Sequence, residues 1–168
     1  MIYLIGYMGS GKTTLGNKLS KLLQLPFLDT DFEIEKKEKK SISNIFKDNG
    51  EAYFRMLETE FLTEIKHDAI VACGGGIPMH NNNMSIINTK GISLYLKASA
   101  DYLANRLKNK KKHRPLIYNI ANNELEDYIY KELQKRDPFY TLSHHTININ
   151  NKTENNLLRE INSLLGSL

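Results

Sequence analysis

The stretch Gly6-Tyr7-Met8-Gly9-Ser10-Gly11-Lys12-Thr13-Thr14 constrains this chain more than any other, because it matches the G-x-x-x-x-G-K-[ST] phosphate loop. The apolar run Ile2-Tyr3-Leu4-Ile5 before it reads as a buried strand, and Leu15, Leu19, Leu22 and Leu23 after it share one helical face. Strand, glycine-rich turn and helix in that order are the context the motif needs. In such a loop the backbone N–H groups of Gly9, Ser10 and Gly11 turn inward on a polyphosphate, and the helix start at Thr13 and Thr14 adds its positive dipole end. Lys12 reaches the outer phosphates, and the Thr13 hydroxyl can ligate Mg²⁺. The bland alternative is a glycine-rich turn with a chance lysine. The flanking strand and helix favour nucleotide binding over it.

The same alternation continues along the chain. Strand-like runs occur at 2–5, 26–28, 69–73, 92–96 and 146–149, with helical patterns near 12–23, 50–67, 99–109, 123–136 and 153–165. Ser99 and Thr153 stand where N-caps belong. This rhythm predicts a three-layer α/β fold, a five-stranded parallel sheet with helices on both faces, as one domain over residues 1–168. Two segments break the rhythm: a helical insert over about 31–67, and a polar, basic stretch over about 110–122. They are the expected substrate-binding region and lid.

Composition narrows the partners. Charged residues make up 25% of the chain and apolar ones 40%, ordinary for a globular protein, and no apolar run approaches the ~20 residues that span a bilayer. The first strand begins at Ile2, leaving no expected room for a signal peptide, and Cys73 stands alone, which excludes an internal disulfide and a multi-cysteine zinc site. A cytoplasmic location is the expectation. The net charge of +4 suits anionic partners. The one dense basic run, Lys108, Lys110, Lys111, Lys112, His113 and Arg114, could serve nucleic acid, but no aromatic RNA module or recognition helix accompanies it. A phosphate-gripping lid is the more economical reading.

Ligands in parallel sheets bind beyond the carboxyl ends of the strands. The second strand runs into Asp29-Thr30-Asp31, and residues two apart on an extended chain share a face, so both carboxylates are expected to point the same way. Either could instead cap the next helix. Glu51, Arg55 and Glu58 line one face of a helix opposite the apolar stripe of Phe54, Leu57, Phe61 and Ile65, which alone would read as a surface ion-pair ladder. Gly74-Gly75-Gly76 permits close approach to a ligand, although a tight turn needs glycine too. Arg136 precedes a helical segment that Pro138 is expected to disrupt, and by itself reads as a helix-end charge.

Taken in order, these motifs resemble shikimate kinase, a family of small kinases related in fold to the nucleoside monophosphate kinases. The likeness rests on the phosphate loop, Asp29-Thr30-Asp31-x-x-Ile34-Glu35, Ser41-Ile42-x-x-Ile45-Phe46, Gly50-Glu51-x-x-Phe54-Arg55-x-x-Glu58, Gly74-Gly75-Gly76, Arg114-Pro115-Leu116 and Arg136-x-Pro138-x-Tyr140. The resemblance implies ATP-dependent phosphorylation of the 3-hydroxyl of shikimate, with Mg²⁺ as cofactor, in a cytoplasmic monomer without nucleic-acid or membrane partners. It further implies that Asp31, Arg55, Gly75 and Arg136 hold shikimate, Thr13 and Asp29 the metal, and Lys12 with the loop amides the phosphates. Arg114 would meet the transferring group and Arg106 would stack on adenine. Lys40 and Ile117 depart from the family pattern, and the spacer from Arg106 to Arg114 is one residue longer than the family's. A kinase of another small hydroxylated acid, such as gluconate, would share the ATP site but not need the Arg55/Arg136 pair. Whether Asp31 acts as base or only orients the hydroxyl stays open at this stage.

Overall fold

The computed structural model describes residues 1–111 and 114–166. Five strands, β1 (Ile2–Ile5), β2 (Phe27–Asp29), β3 (Ile70–Ala72), β4 (Ile92–Lys97) and β5 (His145–Asn148), form one sheet in the order β2-β3-β1-β4-β5. Every pairing is parallel. Each strand matches its sequence expectation to within one residue at either end. β1 sits at the centre, with Ile2 in register with Ile70 on one side and Ile92 on the other. Tyr3 and Leu4 are both fully buried. Because neighbours on a strand face opposite ways, their joint burial means that both sheet faces are covered.

The helices are α1 (Lys12–Leu23), α2 (Thr30–Glu38), α3 (Ile42–Glu64), α4 (Asn83–Lys90), α5 (Ala100–Leu107), α6 (Leu125–Tyr140) and α7 (Glu154–Leu165). α1 packs on β2, β3 and α7, and α5 packs on α6. Among the described residues, no helix is long and apolar enough to cross a membrane.

Several expectations are corrected. The insert holds two helices, and α3 begins at Ile42, eight residues before Gly50, where a positive φ of 81° bends it. α2 and α3 enclose a small core of their own, Ile34, Ile45, Phe54 and Leu57, separate from the main one. α4 has no counterpart among the expected helices; Asn81 and Asn82 take left-handed backbone before it, and the helix starts directly after them. α6 is not disrupted at Pro138 but continues to Tyr140, since the proline lies in the last turn where only one N–H is forfeited. Of the N-caps, Thr153 accepts from the Asn156 N–H at 3.2 Å, whereas Ser99 occupies its cap position without such a bond.

Candidate active site

The phosphate loop leaves β1 and enters α1 through three glycines with positive φ, Gly6 at 144°, Gly9 at 83° and Gly11 at 94°. Those dihedrals favour glycine strongly, and they turn the loop around a cavity of about 210 Å³ at the strand ends. Lys12 is folded back over the loop, its Nζ donating to the carbonyls of Gly6 at 2.7 Å and Tyr7 at 3.1 Å. Burial lowers its pKa to about 8, with Asp31 pulling the other way. Ser10 is buried beneath the loop, and its Oγ has no partner among the described residues.

β2 delivers the two carboxylates by a route other than the expected one. The strand ends at Asp29, and Asp31 already lies in the first turn of α2. The two therefore do not share a strand face. They reach the same cavity because the helix start wraps Asp31 round beside Asp29. Asp29 does two things at once: Oδ1 accepts the Asp31 N–H at 3.2 Å as a helix cap, and Oδ2 accepts the Thr13 hydroxyl at 2.8 Å. Burial, and next the charge of Asp29, push the Asp31 carboxyl above the usual carboxylate range. Between them, Thr30 is fully buried and its hydroxyl accepts the Gly74 N–H at 2.8 Å, which ties β2 to the glycine run after β3.

The two arginines come from α3 and α6. Arg55 donates to Glu51 at 2.9 Å and to Glu58 at 2.9 Å, with its guanidinium 5.4 Å from the Phe54 ring centroid. This is no surface ladder, because Glu58 is only 1% exposed. Burial raises the Glu58 carboxyl to about 7, against the downward pull of Arg55. Arg136 donates to Glu132 at 2.6 Å and lies 5.1 Å from the Tyr7 ring centroid. Its buried Nε has no partner among the described residues. Tyr140, fully buried, donates its hydroxyl to the Gly75 carbonyl at 2.7 Å, and Arg136 approaches the same oxygen at 3.4 Å.

Arg106, Lys110 and Arg114 line the same cavity. Arg106 donates to the Tyr102 hydroxyl at 3.1 Å and reaches the phosphate loop beside Gly11. Burial depresses the Arg114 pKa, and Asp31 works against that, which puts the two charges in one field. The polarity of the lid predicts a segment that does not pack. Instead Ile117 is fully buried in the main core and Lys111 donates to the Ile120 carbonyl at 2.6 Å. Lys112 and His113 of the basic run lie outside the described residues.

Most of the described residues singled out as site candidates thus gather at one end of the sheet. Gly9, Gly11, Lys12, Thr13, Thr14, Asp29, Asp31, Gly75, Arg106 and Arg114 line the cavity, and Arg55 and Arg136 flank the glycine run behind it. Sequence reasoning passes over Thr30, Glu58 and Tyr140 as site members, whereas Lys110, read as part of a phosphate-gripping basic run, does line the cavity. Glu58 and Tyr140 belong to motifs already in view, but their burial is a tertiary property that spacing does not carry.

A phosphate loop between strand and helix, two carboxylates and several arginines gathered at the carboxyl ends of a parallel sheet are the features of a small-molecule kinase of the phosphate-loop class. Comparison with known proteins narrows the class. The family model described as shikimate kinase matches residues 8–165, and the chain belongs to that family. It is 42% identical to the shikimate kinase of Flavobacterium johnsoniae, with 98% of each chain covered. Among solved structures it is similar to shikimate kinase from Bacteroides thetaiotaomicron, with a TM-score of 0.91 at 36% identity over 98% of this chain and 97% of that one. Shikimate kinase from Acinetobacter baumannii in complex with shikimate gives a TM-score of 0.88 at 37% identity, over 99% and 92%.

Proposed function

We propose that this chain transfers the γ-phosphoryl group of ATP to the 3-hydroxyl of shikimate, giving shikimate 3-phosphate and ADP on the way to chorismate and the aromatic amino acids. One observation carries the reading: Asp31, Arg55 and Arg136, from three separate helices, converge on the consecutive glycines 74–76 beside the phosphate loop. A planar guanidinium grips a carboxylate through two parallel bonds, and the unpartnered Nε of Arg136 is a donor still available for one. Gly75 offers backbone at the same place.

ATP lies along the loop amides and Thr14, with Arg106 against the base. Lys12 exchanges the Gly6 and Tyr7 carbonyls for phosphate oxygens. Asp31 meets the reacting hydroxyl, and its raised pKa suits it to take up that proton as the oxygen attacks in line. Arg114 neutralises the group in flight from the lid side.

The residues present also fit Mg²⁺. The Thr13 hydroxyl and the Asp29 carboxylate, 2.8 Å apart, are hard oxygen donors, and no cluster of three or more His, Cys, Asp or Glu forms a closed metal cage among the described residues. A cation that takes one carboxylate and completes its shell from phosphates and water suits such a pair. When bound, it would neutralise charge on the phosphates.

We read residues 1–168 as one such domain, with insert 31–67 and lid 110–122, acting as a cytoplasmic monomer without nucleic-acid or membrane partners. The test is a coupled assay of ADP release with Mg²⁺-ATP. Shikimate should stimulate release, while gluconate and nucleoside monophosphates should not. ADP release indifferent to shikimate overturns the reading, and polyanion binding in its place would return the basic run to nucleic acid.

A further inference from the structure

The backbone conformation of the glycine run after β3 does not by itself require glycine. None of its three residues has left-handed backbone, and Gly76 sits at φ −89° and ψ −22°, where any residue is at ease. What these positions lack is space. A methyl group at position 74 would stand 2.5 Å from Asp31 Oδ1. One at position 76 would stand 2.6 Å from Arg55 Nη1 and 3.0 Å from its Cζ. Non-bonded carbon contacts settle at about 3.5–4.0 Å, so at both positions the neighbouring side chain would have to shift. At position 75 the nearest atom, Arg136 Nη1, is 3.5 Å away, an ordinary contact.

We propose that Gly74 and Gly76 are positioning residues whose missing side chains let Asp31 and Arg55 lie flat against the backbone, in the places the acceptor needs them. The proposal rests on the shikimate kinase reading of the site. Every atom that a methyl group would strike belongs to a side chain, not to backbone. The fold can therefore yield by moving those side chains while the sheet stays as it is. Arg55 cannot move without disturbing its bond to the nearly fully buried Glu58. Asp31 has only a short stem, so displacing its carboxylate shifts it relative to the Thr30–Gly74 bond that fixes the run. A misplaced group of this kind leaves the protein folded and the site mis-set. A structural glycine would do the reverse.

The same geometry separates the two positions functionally. Gly76→Ala acts on Arg55 and so on acceptor binding, whereas Gly74→Ala acts on Asp31 and so on the chemical step. Displacement of about 1 Å at a reacting group costs on the order of 10²-fold in rate. Loss of one charge-assisted bond costs about tenfold or more in affinity.

The decisive experiment is a double-mutant cycle on kcat/KM for shikimate, read at low shikimate with saturating ATP. Gly76→Ala should lower it about tenfold in the wild-type background and less than about twofold in Arg55→Ala, because the methyl then has nothing to displace. KM for ATP should stay unchanged, and Gly74→Ala should lower kcat while its effect vanishes in Asp31→Ala. Equal losses in both backgrounds, or wild-type kinetics for Gly76→Ala, overturn the proposal. A crystal structure of Gly76→Ala decides the same question without turnover. Arg55 moved off Glu58 supports the proposal, and a guanidinium in its original place defeats it. Should the wild type fail to use shikimate, the substrate reading falls, and the Gly76→Ala structure still decides the positioning claim.

Discussion

At the scale of single residues, the arginines and the aspartates are where chemistry and geometry meet. Arg136 is 9% exposed, paired once with Glu132 and left with a free Nε among the described residues. An ammonium cannot reproduce a planar fork, so Arg136→Lys should raise KM for shikimate about tenfold or more while KM for ATP hardly moves. Equal changes in both would remove Arg136 from the acceptor site. Asp29 and Asp31 divide their labour by contact: one accepts from Thr13, the other is buried with a raised pKa. Asp31→Asn should lower kcat by about 10²–10⁴, the range for losing a general base. Asp29→Asn should instead be partly rescued by excess MgCl₂, since a hard cation has lost a charged oxygen. Rescue of the Asp31 variant alone would reverse the two roles. Reading the sequence puts both residues at the strand end correctly but for a mistaken reason, because the turn from strand to helix falls between them.

At the scale of elements, the proposed lid packs where its polarity suggests that it would not. The lid segment carries Arg114 into the cavity, while Ile117 anchors it in the core three residues later. If the segment is a lid as proposed, that buried residue anchors its arginine near the transferring phosphoryl group. Arg114→Ala should then cost about 10³ in kcat, the scale of arginine fingers, with a much smaller loss of ATP affinity. A variant with wild-type kcat would leave Arg114 a surface charge. α4, absent from the expected helices, has a structural duty. Its last residue, Lys90, donates to the carbonyls of Leu62, Thr63 and Ile65 at 2.6, 2.7 and 3.0 Å and so closes the end of α3. Lys90→Met should lower stability by about 1–2 kcal/mol in urea unfolding, because those carbonyls lose a charged donor. An unchanged midpoint would show that water replaces the ammonium. The strands, by contrast, are legible to within a residue: β1, β3 and β4 because burial on both faces favours largely apolar runs, while the partly exposed edge strands β2 and β5 carry a weaker apolar signal. The insert's own small core is not legible, since Ile34, Ile45, Phe54 and Leu57 lie on two helices whose pairing no local pattern announces.

At the scale of the whole molecule, the site is charged in advance of its ligands, and the fold bears the cost. Glu58 is the clearest case. Burial raises its carboxyl from 4.5 to about 7 although Arg55 sits against it. A carboxyl with a raised folded-state pKa binds more protons in the native than in the unfolded chain. Stability from this group is therefore complete below pH 4.5 and is lost as the pH rises through 7, opposite to the usual carboxylate. A shift of this size corresponds to roughly 3 kcal/mol. Glu58→Gln keeps the shape and an acceptor for Arg55 without the titration. Relative to that variant, the wild type should lose melting temperature between pH 4.5 and 7, and the gap should stay level above 7. The same group links protons to the proposed acceptor. A carboxylate docking on Arg55 brings a second negative charge toward Glu58 and raises its pKa further, so shikimate binding near pH 7 should take up a fraction of a proton. Affinity should accordingly weaken as pH rises from about 6.5 to about 8, the window set by the shifted pKa. Calorimetric titrations in two buffers of different ionisation enthalpy measure that uptake directly, and it should disappear in Glu58→Gln. Identical heats in both buffers for the wild type would mean that Glu58 keeps its charge state on binding, with Arg55 turning from it to the substrate as a fixed ion pair.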